Sequence, residues 1–551
     1  MTTDIRPDND MPVDTPLASD TSPAAEIKNI IFNYAAQSDA AVINDVSFQV
    51  RKGECVLLTG ISGCGKTSLL RAINGLIPNY YEGKLSGEIG LLNENSAEKP
   101  IYEISKKVAT VFQNPKSQFF NLDTTSEILF FLENTGTPFE KMHERLRFVS
   151  DFLDIERLLD RNIFNLSGGE KQMIAIASAL ASDTDIIVFD EPTSNLDLYY
   201  IEKIADALRL LKEAGKTLII SEHRLYFLKD IIDRAFLIKD GKIAQSFTRK
   251  EFINLGEKKC KELLLRPLDT DFFVPEKTDE KKAADFAAGG LQNQSASKAT
   301  AGEPFSLNIE HLAYRFPKSK ADFLDIRNVR LDFGKIIALT GKNGQGKSTF
   351  AQCLAGLLKP KRDSIFYGGK KISTKKRLEL SYLVMQDVGY QLFTESVADE
   401  IELGKNKERS SEYSRTLTTD EILQKMNLSE VKERHPLSLS GGQKQRVSIG
   451  AALASGANII IMDEPTSGMD YFHMKETAAL INSIRSPETL ILIISHDFEF
   501  LSFVADEVIL MEAGKIASHN HFDKNEARRL FTVLKSETDT KLTQNKKKTL
   551  V

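Results

Sequence analysis

Cysteine is scarce in this chain: Cys55, Cys64, Cys260 and Cys353 are the only four in 551 residues. That excludes a disulfide scaffold and fits a reducing compartment. Long apolar runs are missing as well. The longest, such as 490–494, hold about five residues against the roughly 20 needed to cross a bilayer. The first residues carry aspartates and no apolar stretch, so no signal peptide is expected. Any membrane role then passes through a partner. An excess of one charge is also lacking. Lys plus Arg is 72 and Asp plus Glu is 77, a formal net charge of −5. So small a balance gives no reason to expect a nucleic-acid partner. What is present is ordinary for a soluble globular chain: 41% hydrophobic and 27% charged residues. At roughly 150 residues per domain the length suggests two to four domains.

Residues 1–25 hold five aspartates, four prolines and no aromatic ring, the composition of a disordered leader. Residues 263–304 read as a flexible linker, whose reach is roughly 35 Å if it is unstructured throughout. Residues 535–551, with Lys546, Lys547 and Lys548, read as a polar, basic tail. Between these lie two copies of one unit, 26–262 and 305–534. Gln113 and Gln386 are 273 residues apart, and so are Ser167 and Ser440, Asp190 and Asp463, Asp197 and Asp470, and His223 and His496. A repeat of that size is a domain duplication. In each copy short apolar runs (55–59, 186–189 and 218–220; 336–340, 459–462 and 490–494) alternate with helical patterns. Runs apolar throughout suit parallel strands covered on both faces, which predicts an α/β fold with chemistry at the carboxyl ends of the strands.

Three constellations sit at those ends. The first is Gly60-Ile61-Ser62-Gly63-Cys64-Gly65-Lys66-Thr67, repeated as Gly341-Lys342-Asn343-Gly344-Gln345-Gly346-Lys347-Ser348. Both fit G-x-x-x-x-G-K-[ST]. The glycines let backbone N–H groups turn towards phosphate oxygens, and the following helix adds its positive end. Lys66 and Lys347 would reach the β- and γ-phosphates, and Thr67 and Ser348 would ligate Mg²⁺. The second is Asp190-Glu191 and Asp463-Glu464, where an aspartate can hold Mg²⁺ and a glutamate can polarise water. His223 and His496 follow at matched positions, suited to touching a γ-phosphate. The third is Ser167-Gly168-Gly169 and Ser440-Gly441-Gly442, each after a leucine and each opening a helix: a second anion-binding element per copy. Cys64 lies at a helix N-terminus, a place that tends to lower a thiol pKa, so alkylation is expected to block the first site.

At these residues the chain resembles the ATP-binding-cassette (ABC) ATPases, over both copies. The resemblance adds Gln113 and Gln386 as Q-loop residues that contribute to catalysis and the Mg²⁺ site. It adds Asp197 and Asp470 as D-loop aspartates, and Tyr34 and Phe316 as adenine-stacking rings. It implies two tandem P-loop NTPase domains, each with a mostly parallel core sheet, an antiparallel β subdomain and a helical subdomain bearing the signature. It further implies a pseudo-dimer within one chain, with ATP and Mg²⁺ as cofactors. Each ATP would lie between one copy's phosphate loop and the other's signature, Lys66 with Ser440 and Gly442, Lys347 with Ser167 and Gly169. Both copies keep Lys, Asp, Glu and His, so two competent sites are expected.

The surroundings of Gln113 and Gln386 are similar to those in energy-coupling-factor (ECF) importer ATPases, and Ser221-Glu222-His223-Arg224 is similar to their fused, tandem forms. That resemblance implies a peripheral protein on the cytoplasmic face of the cell membrane. Its partners would be a separate transmembrane coupling protein and a small substrate-binding membrane protein, and the cargo a vitamin or transition-metal ion. Coupling helices would enter grooves at Gln118, Phe119 and Phe120 and at Gln391, Leu392 and Phe393; the competing reading makes the apolar ones plain core. The alternatives are a soluble tandem cassette acting on ribosomes, which usually carries a long, charged, helical linker, and the ATPase of another ABC transporter class.

Overall fold

The structure is a computed structural model that describes residues 23–35, 41–96, 99–270, 305–317, 319–405 and 417–536. Most of the expected leader, residues 271–304 of the expected linker, and the tail beyond Ser536 lie outside the described residues.

Cys55–Thr59, Thr217–Ser221, Ile336–Thr340 and Leu490–Ile494 are strands in which every residue is buried. A strand with no polar face must be covered on both sides, and the fold obeys this. In the first half six strands run in the order Lys242–Thr248, Arg234–Lys239, Cys55–Thr59, Thr217–Ser221, Ile186–Asp190, Val108–Val111. All neighbours are parallel except the outermost pair, 234–239 with 242–248. The second half repeats the sheet, from Ser381–Val384 across Ile336–Thr340 to Lys515–His521. Each half also has a four-stranded antiparallel sheet, built around Pro23–Tyr34 and Ser306–Tyr314. Three helices, Thr124–Asn134, Phe139–Leu153 and Gly168–Ala181, form the helical part of the first half. Val397–Gly404, Thr419–Lys425 and Gly441–Ala454 do so in the second.

The chain's connections differ from the composition-based expectation. The first strand begins at Pro23 rather than 26. The stretch after Glu262 is packed as far as it is described: Leu265, Leu268 and Arg266 are buried. Leu265 and Leu268 join one apolar core that continues into the second half. The linker therefore does not begin at 263. Arg266 has its acidic partners, Asp497 and Glu499, in the other half. At the far end, the helix Lys524–Lys535 packs on the first half's helix Leu198–Glu213, and Lys535 pairs with Glu202 at 2.6 Å.

Candidate active site

Both glycine loops leave a buried strand and enter a helix, Lys66–Ile73 and Lys347–Leu354. Gly60 and Gly341 have φ of 144° and 143°. A Cβ there would collide with the carbonyl oxygens of Ile238 and Met511, so only glycine lets the loop start this close to the sheet. The remaining loop residues, Ile61 to Gly65 and Lys342 to Gly346, complete each turn. Lys66 Nζ donates to the carbonyls of Gly60 and Ile61, both at 3.0 Å. Lys347 Nζ donates to those of Gly341 (2.7 Å) and Lys342 (3.0 Å). Each ammonium is thus folded into its own loop, and burial lowers the Lys347 pKa.

The acidic pairs follow at strand ends. Thr67 Oγ1 donates to Asp190 Oδ1 at 3.1 Å. Burial, helped by Glu191, pushes Asp190 up to about 6, and burial raises Asp463 while the Ser348 hydroxyl opposes it. A hydroxyl beside a carboxylate supplies the hard oxygen ligands that a small divalent cation prefers. Glu191 and Glu464 both have left-handed backbones, φ 45° and 48°. Their N–H groups donate to Ser221 and Ile494 carbonyls on the next strand, both at 2.9 Å, which holds that sparsely populated geometry.

The two glutamates have different surroundings. Gln113 Nε2 donates to Glu191 Oε2 at 2.8 Å, and His223 Nε2 lies 3.1 Å from Glu191 Oε1, a close but poorly aligned contact. Burial opposes charge on Glu191, yet His223 and Lys66 outweigh it and hold the carboxyl below its ordinary range. Glu464 is 3.5 Å from His496, and its Oε1 has no hydrogen-bond partner among the described residues. Burial pushes it up to about 8 against the pull of Lys347. Burial, with Lys347 and Arg224, holds His496 well below the usual imidazole range. Gln386 lines the same cleft.

The signature helices Gly168–Ala181 and Gly441–Ala454 start with reciprocal caps, Ser167 with Glu170 and Ser440 with Gln443. Gly169 lies against the Tyr200 ring and Gly442 against His473, residues again 273 apart. Asp197 and Asp470 tie the halves together. Asp470 Oδ2 accepts the Ser62 N–H at 2.5 Å while Oδ1 caps its own helix at His473 N, 2.8 Å. Asp197 Oδ2 accepts the Asn343 N–H at 2.7 Å and Oδ1 caps at Tyr200 N, 3.0 Å. Each phosphate loop is therefore bonded to the helix that packs beside the other half's signature. The loops and signatures share a cleft of about 1510 Å³ lined by both halves, with Ser62, Ser167, Lys347 and Ser440 among its walls.

Other expected residues are placed as follows. The Tyr34 hydroxyl lies 3.0 Å from Ser68 Oγ and accepts from Arg71 at 3.3 Å. Phe316 is exposed and packs on Phe323, a ring that sequence reasoning missed and that lines the cleft beside Gly346. Cys64 differs from expectation: its side chain turns into the core, 5% exposed, and burial raises the thiol pKa despite nearby Lys66. Gln118 and Gln391 also differ. Gln118 bonds Phe112 N (3.2 Å) and Thr110 O (3.1 Å), and Gln391 bonds Met385 N (3.1 Å) and Leu383 O (2.8 Å), so both are committed to their own backbone. Arg224 and Arg266 approach the second site's surroundings from the first half; Arg224 directly follows the expected His223, whereas Arg266 carried no motif that marked it.

The ABC transporter family matches residues 43–194 and 324–467. A putative ABC transporter ATP-binding protein of Treponema denticola is 41% identical over 490 residues, 89% of this chain and 96% of that protein. A putative HMP/thiamine import ATP-binding protein of Bacillus subtilis is 32% identical, covering 89% of this chain and 90% of that one. Among solved structures, a complex of an archaeal ribosomal stalk protein with an archaeal ribosome recycling factor shares the fold, with TM-score 0.58, 21% identity and 92% of each chain covered. With the duplicated loops, acid pairs and signatures on one cleft, these likenesses place the chain in the ABC transporter family as a tandem ATP-binding protein that hydrolyses ATP.

Proposed function

We propose that the chain is the ATPase subunit of an ECF-type importer, seated on the cytoplasmic face of the membrane. It would drive a separate transmembrane coupling protein and a small membrane protein that binds a vitamin or transition-metal ion. On binding ATP, Lys66 and Lys347 exchange their own loop carbonyls for β- and γ-phosphate oxygens. Tyr34 and Phe316 flank the base. Thr67, Asp190 and Gln113, and in the other site Ser348, Asp463 and Gln386, are the residues suited to hold Mg²⁺, which neutralises phosphate charge when bound. Glu191 and Glu464 orient and deprotonate the attacking water, and His223 and His496 hold the γ-phosphate side of the site. Signature residues 440–442 close the first site and 167–169 the second. Loss of the terminal phosphate removes the shared contact between halves, which is the movement available to a membrane partner.

The observation that carries the importer reading is a pair of exposed rings beside the Q-loops. Phe120 and Phe393 occupy matching positions, 273 apart, and both are 76% exposed. Phe120 stacks on Phe130 at 5.0 Å, with exposed Leu122 and Phe164 joined through the Ile163 N–H to Leu122 carbonyl bond. Leu392 is core and Phe119 is packed against it, so the rings one residue further along are the ones offered to a partner. Apolar patches in duplicate suit a pair of amphipathic coupling helices. The name of the Bacillus subtilis relative points the same way.

Co-expression with membrane proteins from neighbouring genes tests this. The wild-type chain is expected to co-purify with them, and Phe120→Asp with Phe393→Asp to abolish co-purification while leaving ATP hydrolysis by the isolated chain intact. Sedimentation with ribosomes, or membrane co-purification indifferent to both substitutions, would overturn it.

A further inference from the structure

Beyond the nucleotide cleft, the halves meet in a buried group of charges. Arg266 Nη1 lies 2.6 Å from Asp497 Oδ2 and 3.4 Å from Glu499 Oε2. Its Nη2 donates to the Met469 carbonyl at 2.6 Å. The three side chains are only 4%, 5% and 6% exposed. Arg266 belongs to the first half and both acids to the second. A small cavity beside them is also lined by Arg224 and Tyr226 of the first half.

The duplication gives this cluster a meaning. In the 273-residue register Arg224 is the counterpart of Asp497, and Tyr226 of Glu499. The same two positions near the axis of the pseudo-dimer thus carry a cation and a phenol in one half and two acids in the other. Two first halves set face to face would bring two pairs of arginines together with only each half's own Glu222 nearby, and two second halves two pairs of acids with only each half's own Lys475 nearby. A first half against a second half sets arginines opposite acids, and burial makes the mismatches costly. Burial works against charge on Asp497, but Arg266 and Arg224 outweigh it and keep the carboxyl below its ordinary range. Burial pushes Glu499 up to about 8 against the pull of Arg266.

We propose that Arg266 and Arg224 against Asp497 and Glu499 form a pairing code, which directs the first half to the second half and rejects like-with-like pairing between chains. The code acts without nucleotide and is independent of what the ATPase drives.

The test uses the full chain carrying Glu202→Cys and Lys535→Cys, positions whose side chains meet across the halves. The four native cysteines are buried. Without nucleotide, a short bis-maleimide cross-linker is expected to give an intramolecular product. Adding Arg266→Glu should cut that product at least about tenfold and let intermolecular dimers appear, as like charges meet at the axis. The exchange Arg266→Glu with Glu499→Arg, which keeps the cluster's composition, should restore it to within about twofold. Glu499 is the partner exchanged because Asp497 Oδ1 also caps a helix at Phe500 N, 3.2 Å. An unchanged yield in Arg266→Glu would overturn the proposal. So would an exchange variant no better than the single one, since the loss would then reflect packing and not charge matching.

Discussion

Gly169 and Gly442 stand in equivalent places at the start of the two signature helices, yet their neighbours differ. An alanine at 169 would drive its methyl into Cγ and both Cδ atoms of Tyr200. Those are the ring atoms nearest the backbone, so spinning the ring does not clear them, and Tyr200 sits in the first turn of Leu198–Glu213, capped by Asp197. An alanine at 442 meets only His473 Cδ2, at 3.4 Å, an ordinary contact. Overpacking of the first kind costs about 1–3 kcal/mol, whereas replacing a helical glycine in open space gains about 0.5–1 kcal/mol. The net expectation is a loss of about 1 kcal/mol for Gly169→Ala and a gain of about 0.5 kcal/mol for Gly442→Ala. For domains of this size that is a Tm drop of about 2–4 °C against a rise of about 1–2 °C. Gly168→Ala and Gly441→Ala serve as controls, because nothing lies within 4 Å of a Cβ at either. The assay is thermal unfolding of the full chain without nucleotide, which separates packing from any role in ATP contact. Equal shifts for Gly169→Ala and Gly442→Ala would refute the reasoning.

Glu191→Gln and Glu464→Gln should each cut ATP hydrolysis at least about tenfold, measured by phosphate release; an unchanged rate would show that the altered site does not contribute. Asp470 gives a pH effect: burial opposes its charge, but the side chain and N–H of His473 and the Ser62 N–H outweigh it and hold the carboxyl below its ordinary range. Its stabilisation is therefore complete above the unfolded value of about 3.9 and is lost as pH falls towards the folded one. Asp470→Asn should accordingly show a smaller fall in Tm than wild type below about pH 4, and parallel curves would contradict this. Because Cys64 and the other three cysteines are buried, an aromatic disulfide reagent should titrate almost no thiol in the native chain and all four after denaturation. Rapid native labelling of Cys64 would restore the expectation drawn from its place in the loop.

The duplicated architecture was legible because strands apolar on both faces and glycine loops are local signals. Cys55–Thr59 and Ile336–Thr340 needed no knowledge of their neighbours to be read as buried strands. What escaped depends on partners distant in sequence. Glu191 and Glu464 are the same letter after the same aspartate, but one is held by Gln113 and His223 and the other is enclosed. Cys64 was read from its helix terminus, whereas the direction of its side chain decides its chemistry. Gln118 and Gln391 were read as partner contacts from the resemblance of the Q-loop surroundings to ECF ATPases. Their use is internal, to close the backbone where the Q-loop leaves the sheet. Arg266 lay in a stretch that looked loose, since its carboxylates are more than 200 positions away.

The crossed ends have a mechanical consequence. The stretch around Arg266 leaves the first half to lie on the second, and the final helix of the second lies on the first, so the two lobes link arms at one edge. These crossed ends hold the lobes together through contacts that involve neither phosphate loop. Reclosure is a unimolecular event, as fast in a dilute sample as in a crowded one.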